Sequence, residues 1–236
     1  LQYFLLDSSF QPKERLTMGL LMCYHHLLEQ EEPDDLMMHP LRLALEVQSL
    51  MNQNDWLVID GGNTHFWSEI AVNMAGAQGN ELAGILHPGS FSMLGVGVSF
   101  GLAAKLNHPK DRVVVISGDG AFLSGGLSIE AAFQENVPIT VVIDNNGGLT
   151  TISQQQERLF ANERHVATDF RDIPFHTMFE GMGGHGELVE KPEDLKPALE
   201  RDHSSGKTAC INVRTRSAIS PIVLATTSKR DKASIE

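Results

Sequence analysis

A chain of 236 residues, 42% of them hydrophobic, is long enough to bury one sizeable core. Its formal net charge of -12 sets 30 Asp and Glu against 18 scattered Lys and Arg, so the attraction that polyanion binding depends on is missing and nucleic acid is excluded as an expected partner. Apolar stretches break off well short of the roughly 20 residues needed to span a bilayer, so no membrane partner is expected either. Cys23 and Cys210 match neither a zinc-ligand spacing nor a disulfide framework. Two buried thiols in a reducing, cytoplasmic setting fit that usage. The start "LQYFLLDSSFQPKERL" has no basic segment, apolar run and small-residue cleavage site, and reads as a truncation.

In chain order, "PKERLTMGLLMCYHHLLEQEE" carries Leu16, Leu20, Leu21, Tyr24, Leu27 and Leu28 at helical spacing and then meets the acidic break "EEPDD". The adjacent His25 and His26 point about 100° apart on such a helix, which argues against a shared metal. From Pro40 helices and strands alternate. Helices are predicted over Leu41 to Met51, near Trp67, over Gly97 to Leu106 and over Leu127 to Gln134. The strands between them are "WLVID", "RVVVIS" and "ITVVID". A further unit follows, with a helix over Phe175 to Gly181, strand "GELVE", a helix over Pro192 to His203 and strand "ACINV". The strands are short and rich in Val and Ile, the pattern of strands covered on both faces. The expected fold is α/β, a doubly wound parallel sheet with helices on both faces. The stretch "GGLTTISQQQERLFANERHVATDFRDIP" has no clear period and is expected to be a partly helical connection at the functional edge.

Asp119 follows one of these strands, and Asn145 and Asn146 follow the next, which places all three at strand carboxyl ends, where open α/β sheets bind ligands. A carboxylate and an amide carbonyl offered from neighbouring loops are hard oxygen ligands of the kind that suits Mg²⁺, whose remaining ligands come from water and substrate phosphates. Gly118 and Gly120 allow close backbone approach to a phosphate, and the following helix can aim amide hydrogens at it. Gly-Asp-Gly and Asn-Asn-Gly-Gly are each common turn chemistry alone. Together, with a helix between them, they point to a metal-diphosphate site.

Residues 118 to 150, "GDGAFLSGGLSIEAAFQENVPITVVIDNNGGLT", resemble the diphosphate and metal signature of thiamine diphosphate (ThDP)-dependent enzymes. The resemblance extends over residues 38 to 215 and implies the ThDP-binding fold. It implies Asp119, Asn146 and the carbonyl of Gly148 as Mg²⁺ ligands, and Gly118, Gly120 and Ala121 as the backbone beside the diphosphate. In "DGGNTHFW" it implies Asn63 and Thr64 as contacts of the terminal phosphate. In "GSFSMLGVGVSFGLAAKLNHP" it implies Leu94 as the bulky residue that bends the cofactor and the Ser92 carbonyl as a contact of its 4'-amino group. Within the family, "NNGGL" looks most like oxalyl-CoA decarboxylase and 2-hydroxyacyl-CoA lyases of the acetolactate synthase-like superfamily.

The resemblance also implies a division of the chain. Residues 1–37 read as a helix and linker left from a preceding middle domain, 38–215 as the pyrophosphate-binding domain, and 216–236 as a tail able to close over a small-molecule substrate of acyl-CoA type. The activating glutamate of the family comes from a pyrimidine-binding domain not found here, so further chain or another subunit of a homo-oligomer is the expected partner. The expected activity is that of a ThDP- and Mg²⁺-dependent lyase or decarboxylase. An acetolactate synthase-like condensing enzyme and a non-catalytic ThDP-binding subunit are the alternatives.

"GMGGHG" at 181–186 satisfies Gly-x-Gly-x-x-Gly but follows a helix and precedes a strand, the reverse of the dinucleotide fingerprint. His65 lies in the first cofactor loop, and His165, His176 and His185 follow the metal loop. The sequence ranks none of them as the acid or base. Glu130 and Glu135 read as solvated or capping charges.

Overall fold

The computed structural model describes residues 37–160, 165–221 and 223. The expected helix before Pro33, the His25–His26 pair, Cys23 and most of the terminal tail lie outside the described residues. In chain order the elements are α1 (Pro40–Ser49), β1 (Trp56–Ile59), α2 (Asn63–Ala77), β2 (Gly84–Leu86), α3 (Gly97–Asn107), β3 (Val113–Gly118) and α4 (Asp119–Gly125). They continue with α5 (Glu130–Gln134), β4 (Thr140–Asn145), α6 (Thr150–Phe160), α7 (Phe175–Gly181), β5 (His185–Val189), α8 (Pro192–Ser205) and β6 (Ala209–Arg214).

The strands form one sheet in the order β2-β1-β3-β4-β6-β5, every pair parallel. Alternation along each strand feeds two cores. Leu57, Ile59, Val114, Ile116, Val142 and Ile211 pack with α1, α2 and α8 on one face. Val58, Val113, Val115, Val141, Ile143 and Cys210 pack with Val98 of α3, Phe122 of α4 and Phe175 and Phe179 of α7 on the other. The fold is the doubly wound α/β structure expected from the strand composition. Cys210 is fully buried near the start of β6, and burial pushes its thiol well above its ordinary value.

Two elements differ from expectation, the helix over Leu127 to Gln134 and the edge strand β2, which the sequence reading did not include. The helix expected over Leu127 to Gln134 is divided into a 3-10 turn, Gly126–Ile129, and α5. The division falls between Ile129 and Glu130; just before the 3-10 turn, Gly125 packs so closely on Gly95 that a Cβ there would sit 2.1 Å from the Gly95 carbonyl oxygen. The connection after β4, expected to be partly helical, is helical over Thr150–Phe160, as α6, whose buried positions are the polar Thr150, Ser153 and Gln154 rather than an apolar stripe. The edge strand β2 has only three residues and no fully buried one. "GMGGHG" runs from the end of α7 into β5, the helix-to-strand order that argues against dinucleotide binding.

Candidate cofactor and metal site

The chain leaves β1 toward β2 on one side and returns to β3 on the other, so the carboxyl ends of β1 and β3 flank the switch point of the sheet. A cavity of about 270 Å³ opens there, lined from three loops: Gly61 to Thr64 after β1, Gly118 to Ala121 after β3, and Asn146 with Gly148 to Ile152 after β4. Ser92 and Leu94 close a fourth side. All ten residues that the resemblance singled out, Asn63, Thr64, Ser92, Leu94, Gly118, Asp119, Gly120, Ala121, Asn146 and Gly148, therefore line one cavity. The volume falls just under the range of about 300–1,000 Å³ usual for small-molecule sites.

The charged centre follows from strand register. Gly118 pairs with Asp144 across β3 and β4, which brings Asp119 beside the end of β4. Asp119 is 3% exposed. Its Oδ1 accepts from the Gly120 amide at 2.6 Å, and its Oδ2 accepts from the amides of Gly147 at 2.8 Å and Gly148 at 2.9 Å. Burial, reinforced by the nearby Asp144 carboxylate, pushes its carboxyl up to about 7 despite those three amides. Asp144 is fully buried and accepts from Thr64 Oγ1 at 2.6 Å and from Thr215 Oγ1. Burial raises its carboxyl too, against the Thr215 and Thr64 hydroxyls that donate to it and the favourable influence of the Asn146 amide. Asn146, which follows Asp144 by two residues, leaves its Oδ1 buried and without a hydrogen-bond partner.

A divalent cation answers both features. It would compensate the crowded Asp119–Asp144 pair and give the orphaned Asn146 oxygen a partner, from the oxygen donors that Mg²⁺ prefers. The Gly148 carbonyl accepts from the Thr150 amide at 2.9 Å and keeps a second lone pair for such an ion. The glycine pair itself is set by the backbone. Gly147 has φ +83°, and a Cβ at Gly148 would lie 2.2 Å from the Thr168 carbonyl oxygen.

The loop after β1 is braced by Asp60, which is 1% exposed. Its Oδ1 accepts from the amides of Gly61 at 2.8 Å, Gly95 at 2.9 Å and Val96 at 3.1 Å, and its Oδ2 accepts from Ser117 Oγ at 2.8 Å. This carboxylate ties β1, β3 and the segment carrying Ser92 and Leu94 into one frame. Ser92 adopts the left-handed conformation at φ 46°, and its carbonyl lies so close to Gly61 that a Cβ there would meet it at 2.3 Å. Leu94 packs over Gly62, within 2.9 Å of where a Cβ would stand.

Some expected contacts meet competing bonds. The Thr64 hydroxyl hydrogen is committed to Asp144, which leaves the first-turn backbone amides of α2 as its means of reaching a phosphate. Asn63 donates its Nδ2 to the Ala218 carbonyl at 2.9 Å, and its Oδ1 is the buried end without a partner, so contact with a phosphate requires the amide to turn. Asn145 faces away from the cavity and donates to Asn212 Oδ1 at 3.0 Å. His165 stands outside it, held by Asp169 at 2.8 Å and Glu157 at 2.6 Å. His176 meets the Asn212 amide, and His185 pairs with Glu187 at 2.8 Å. The described start of the tail packs on α2, where the Trp67 indole also donates to the Ala218 carbonyl.

Asp60 and Asp144 escaped the sequence reading, as did Phe66, Leu149 and Ile152 in the apolar wall. A signal for the two acids existed, since "WLVID" and "ITVVID" both end in Ile-Asp at the functional edge.

Among the described residues no helix is long and apolar enough to cross a membrane. Residues 60–213 match the family described as "Thiamine pyrophosphate enzyme, C-terminal TPP binding domain". The chain is 34% identical over 184 residues to the acetolactate synthase large subunit IlvG of Mycobacterium tuberculosis, covering 77% of this chain and 32% of that protein. It is 30% identical over 185 residues to a 2-hydroxyacyl-CoA lyase of Oryza sativa subsp. japonica, covering 74% and 30%. With 2-hydroxyacyl-CoA lyase 2 of Bos taurus it shares 30% over 166 residues, covering 70% and 25%. The match thus spans about a third or less of each relative's length. The cavity at the switch point and the profile that covers it agree: this chain belongs to the thiamine pyrophosphate enzymes and carries their C-terminal cofactor-binding domain.

Proposed function

We propose that the chain is the ThDP- and Mg²⁺-binding portion of a carbon-carbon bond lyase or decarboxylase acting on a 2-hydroxyacyl-CoA or oxalyl-CoA type of substrate. The observation that carries the cofactor reading is the buried, unpartnered Asn146 oxygen beside an Asp119 carboxyl that burial holds up to about 7. Asp119, Asn146 and the Gly148 carbonyl would hold the ion. The amides of Gly120 and Ala121 and the first turn of α2 would face the diphosphate, with Leu94 under the rings. When bound, ThDP supplies the nucleophilic carbon and the electron sink that let a bond next to a carbonyl break or form. This chain's residues orient it and exclude water. The pyrimidine side of the pocket is supplied by further chain or by another subunit of a homo-oligomer.

The lyase reading draws on the glycine pair after Asn146 and on the relatives named 2-hydroxyacyl-CoA lyase. An acetolactate synthase-like condensation is the second reading, favoured by the 34% identity to the mycobacterial large subunit. The test is to assay the protein, joined with the chain that supplies the pyrimidine side, on 2-hydroxyacyl-CoA, oxalyl-CoA and pyruvate. Formyl-CoA release is the expected result. Acetolactate from pyruvate alone would move the assignment to the second reading. Activity that survives Asp119→Ala would make this chain a non-catalytic binding subunit.

A further inference from the structure

Outside the cofactor cavity, His65, Glu69 and His87 turn three ligand atoms toward one point. His65 Nε2 lies 3.0 Å from Glu69 Oε1 and 3.3 Å from His87 Nδ1, and His87 Nδ1 lies 3.6 Å from Glu69 Oε1. A zinc ion with bonds near 2.0–2.1 Å sets neighbouring tetrahedral ligands roughly 3.3 Å apart, the mean of these separations. We propose that His65, Glu69 and His87 form a three-ligand site for a zinc-class divalent metal ion, with its fourth position open to solvent.

Two features of the fold build the site. His65 and Glu69 are spaced i, i+4 on α2 and so share a face, while His87 follows β2, the edge strand that pairs with the β1 strand leading into α2. The His65–Glu69 contact alone is an ordinary helix ion pair. It does not account for His87, whose Nδ1 carries its one lone pair rather than a proton, held by the Gly89 amide in a long 3.3 Å bond that a metal would replace. Two imidazole nitrogens and one carboxylate select zinc and related first-row metals over Mg²⁺. His65 is 2% exposed, whereas the side chains of Glu69 and His87 are each 41% exposed, so the open position faces outward.

The site also reaches the cofactor cavity through one hydrogen bond. His65 Nδ1 lies 3.0 Å from Ser92 Oγ, and Ser92 Oγ accepts from the Gly62 amide at 3.0 Å. Without metal, His65 Nε2–H donates toward Glu69 and His87, so Ser92 donates its hydroxyl hydrogen to His65 Nδ1. With metal on Nε2, the proton sits on Nδ1 and donates to Ser92, the orienting bond that metal-bound histidines commonly make. The Ser92 oxygen then accepts twice and its own hydrogen is released for a new partner. Metal occupancy is thereby read by a residue that lines the cavity.

The test is calorimetric titration of Zn²⁺ into the 236-residue chain at saturating Mg²⁺ and without ThDP, with Co²⁺ absorption as a coordination probe. The expected result is one Zn²⁺ per chain, the intense visible bands of four-coordinate Co²⁺, and a Zn²⁺-dependent rise in Tm. Glu69→Gln combined with His87→Ala changes only half-exposed side chains and should weaken Zn²⁺ binding at least 100-fold, a greater loss than the roughly 10-fold expected for Ser92→Ala. Asp119→Asn should bind Zn²⁺ as the native chain does, which separates this site from the Mg²⁺ site. No stoichiometric Zn²⁺ uptake, an unchanged affinity in the double variant, or a pale six-coordinate Co²⁺ spectrum would each overturn the proposal.

Discussion

Two buried carboxylates at the same edge of one sheet are treated in opposite ways. Asp60 receives four donors, from Gly61, Gly95, Val96 and Ser117. Asp119 receives three amides but shares its surroundings with the fully buried Asp144, and its carboxyl is pushed up to about 7. The difference separates a brace from a binding group. Asp60 spends its charge on the frame that positions the cavity, and Asp119 keeps a crowded charge that the proposed cation would compensate.

The largest effect should come from breaking the brace. Asp60→Ala leaves three amides and one hydroxyl without their acceptor, and at about 1–3 kcal/mol for each unsatisfied group a loss on the order of 5 kcal/mol is expected. Thermal unfolding should show a Tm lowered by about 15 °C, with and without Mg²⁺ alike. A small shift would mean that the loop after β1 holds its shape by other means.

The second effect sharpens the contrast through pH. Asp119 has a folded-state value of about 7, above its ordinary 3.8, so the folded state binds more protons than the unfolded state between them. Stability is therefore fully present below the lower value and is lost as pH rises through the upper one, and Asp144 acts in the same direction. Between pH 5 and pH 8 the cofactor-free chain should lose about 3 kcal/mol. Added Mg²⁺ and ThDP should flatten this dependence, since they bind the charged form. Calorimetric unfolding at the two pH values, with and without both ligands, checks the sign directly. The smallest effect belongs to Ser117→Ala, which removes one of four donors to Asp60. About 1 kcal/mol of stability should go, with Mg²⁺-dependent binding retained.

How far the sequence could be read follows the same physical division. Strands such as Val113–Gly118 are buried along their whole length, so an unbroken Val and Ile run announced them. β2 is three residues at an edge, too short and too exposed to carry a pattern. α6 hides because its buried positions are the polar Thr150, Ser153 and Gln154 rather than an apolar stripe, which blurs the helical period. Asp119 and Asn146 were legible because strand ends and glycine-rich turns constrain spacing as well as composition, the others came with the family resemblance, and all ten meet at one cavity. Asp60 and Asp144 were not, since an acid at the end of a strand looks like a solvated terminus until its neighbours are known. The competing bonds of Thr64 and Asn63 depend on partners 80 and 155 residues away, which no local pattern encodes.

The central claim is that the charge at Asp119 exists to hold a metal against a diphosphate. The most direct test is calorimetric titration of ThDP into this chain with Mg²⁺ and with EDTA, beside Asp119→Ala, repeated with the chain that completes the pocket. Binding that requires Mg²⁺ and weakens at least about 100-fold in the variant, or 2.7 kcal/mol, is the predicted result. ThDP binding to the completed protein that is indifferent to both the metal and Asp119 would contradict it.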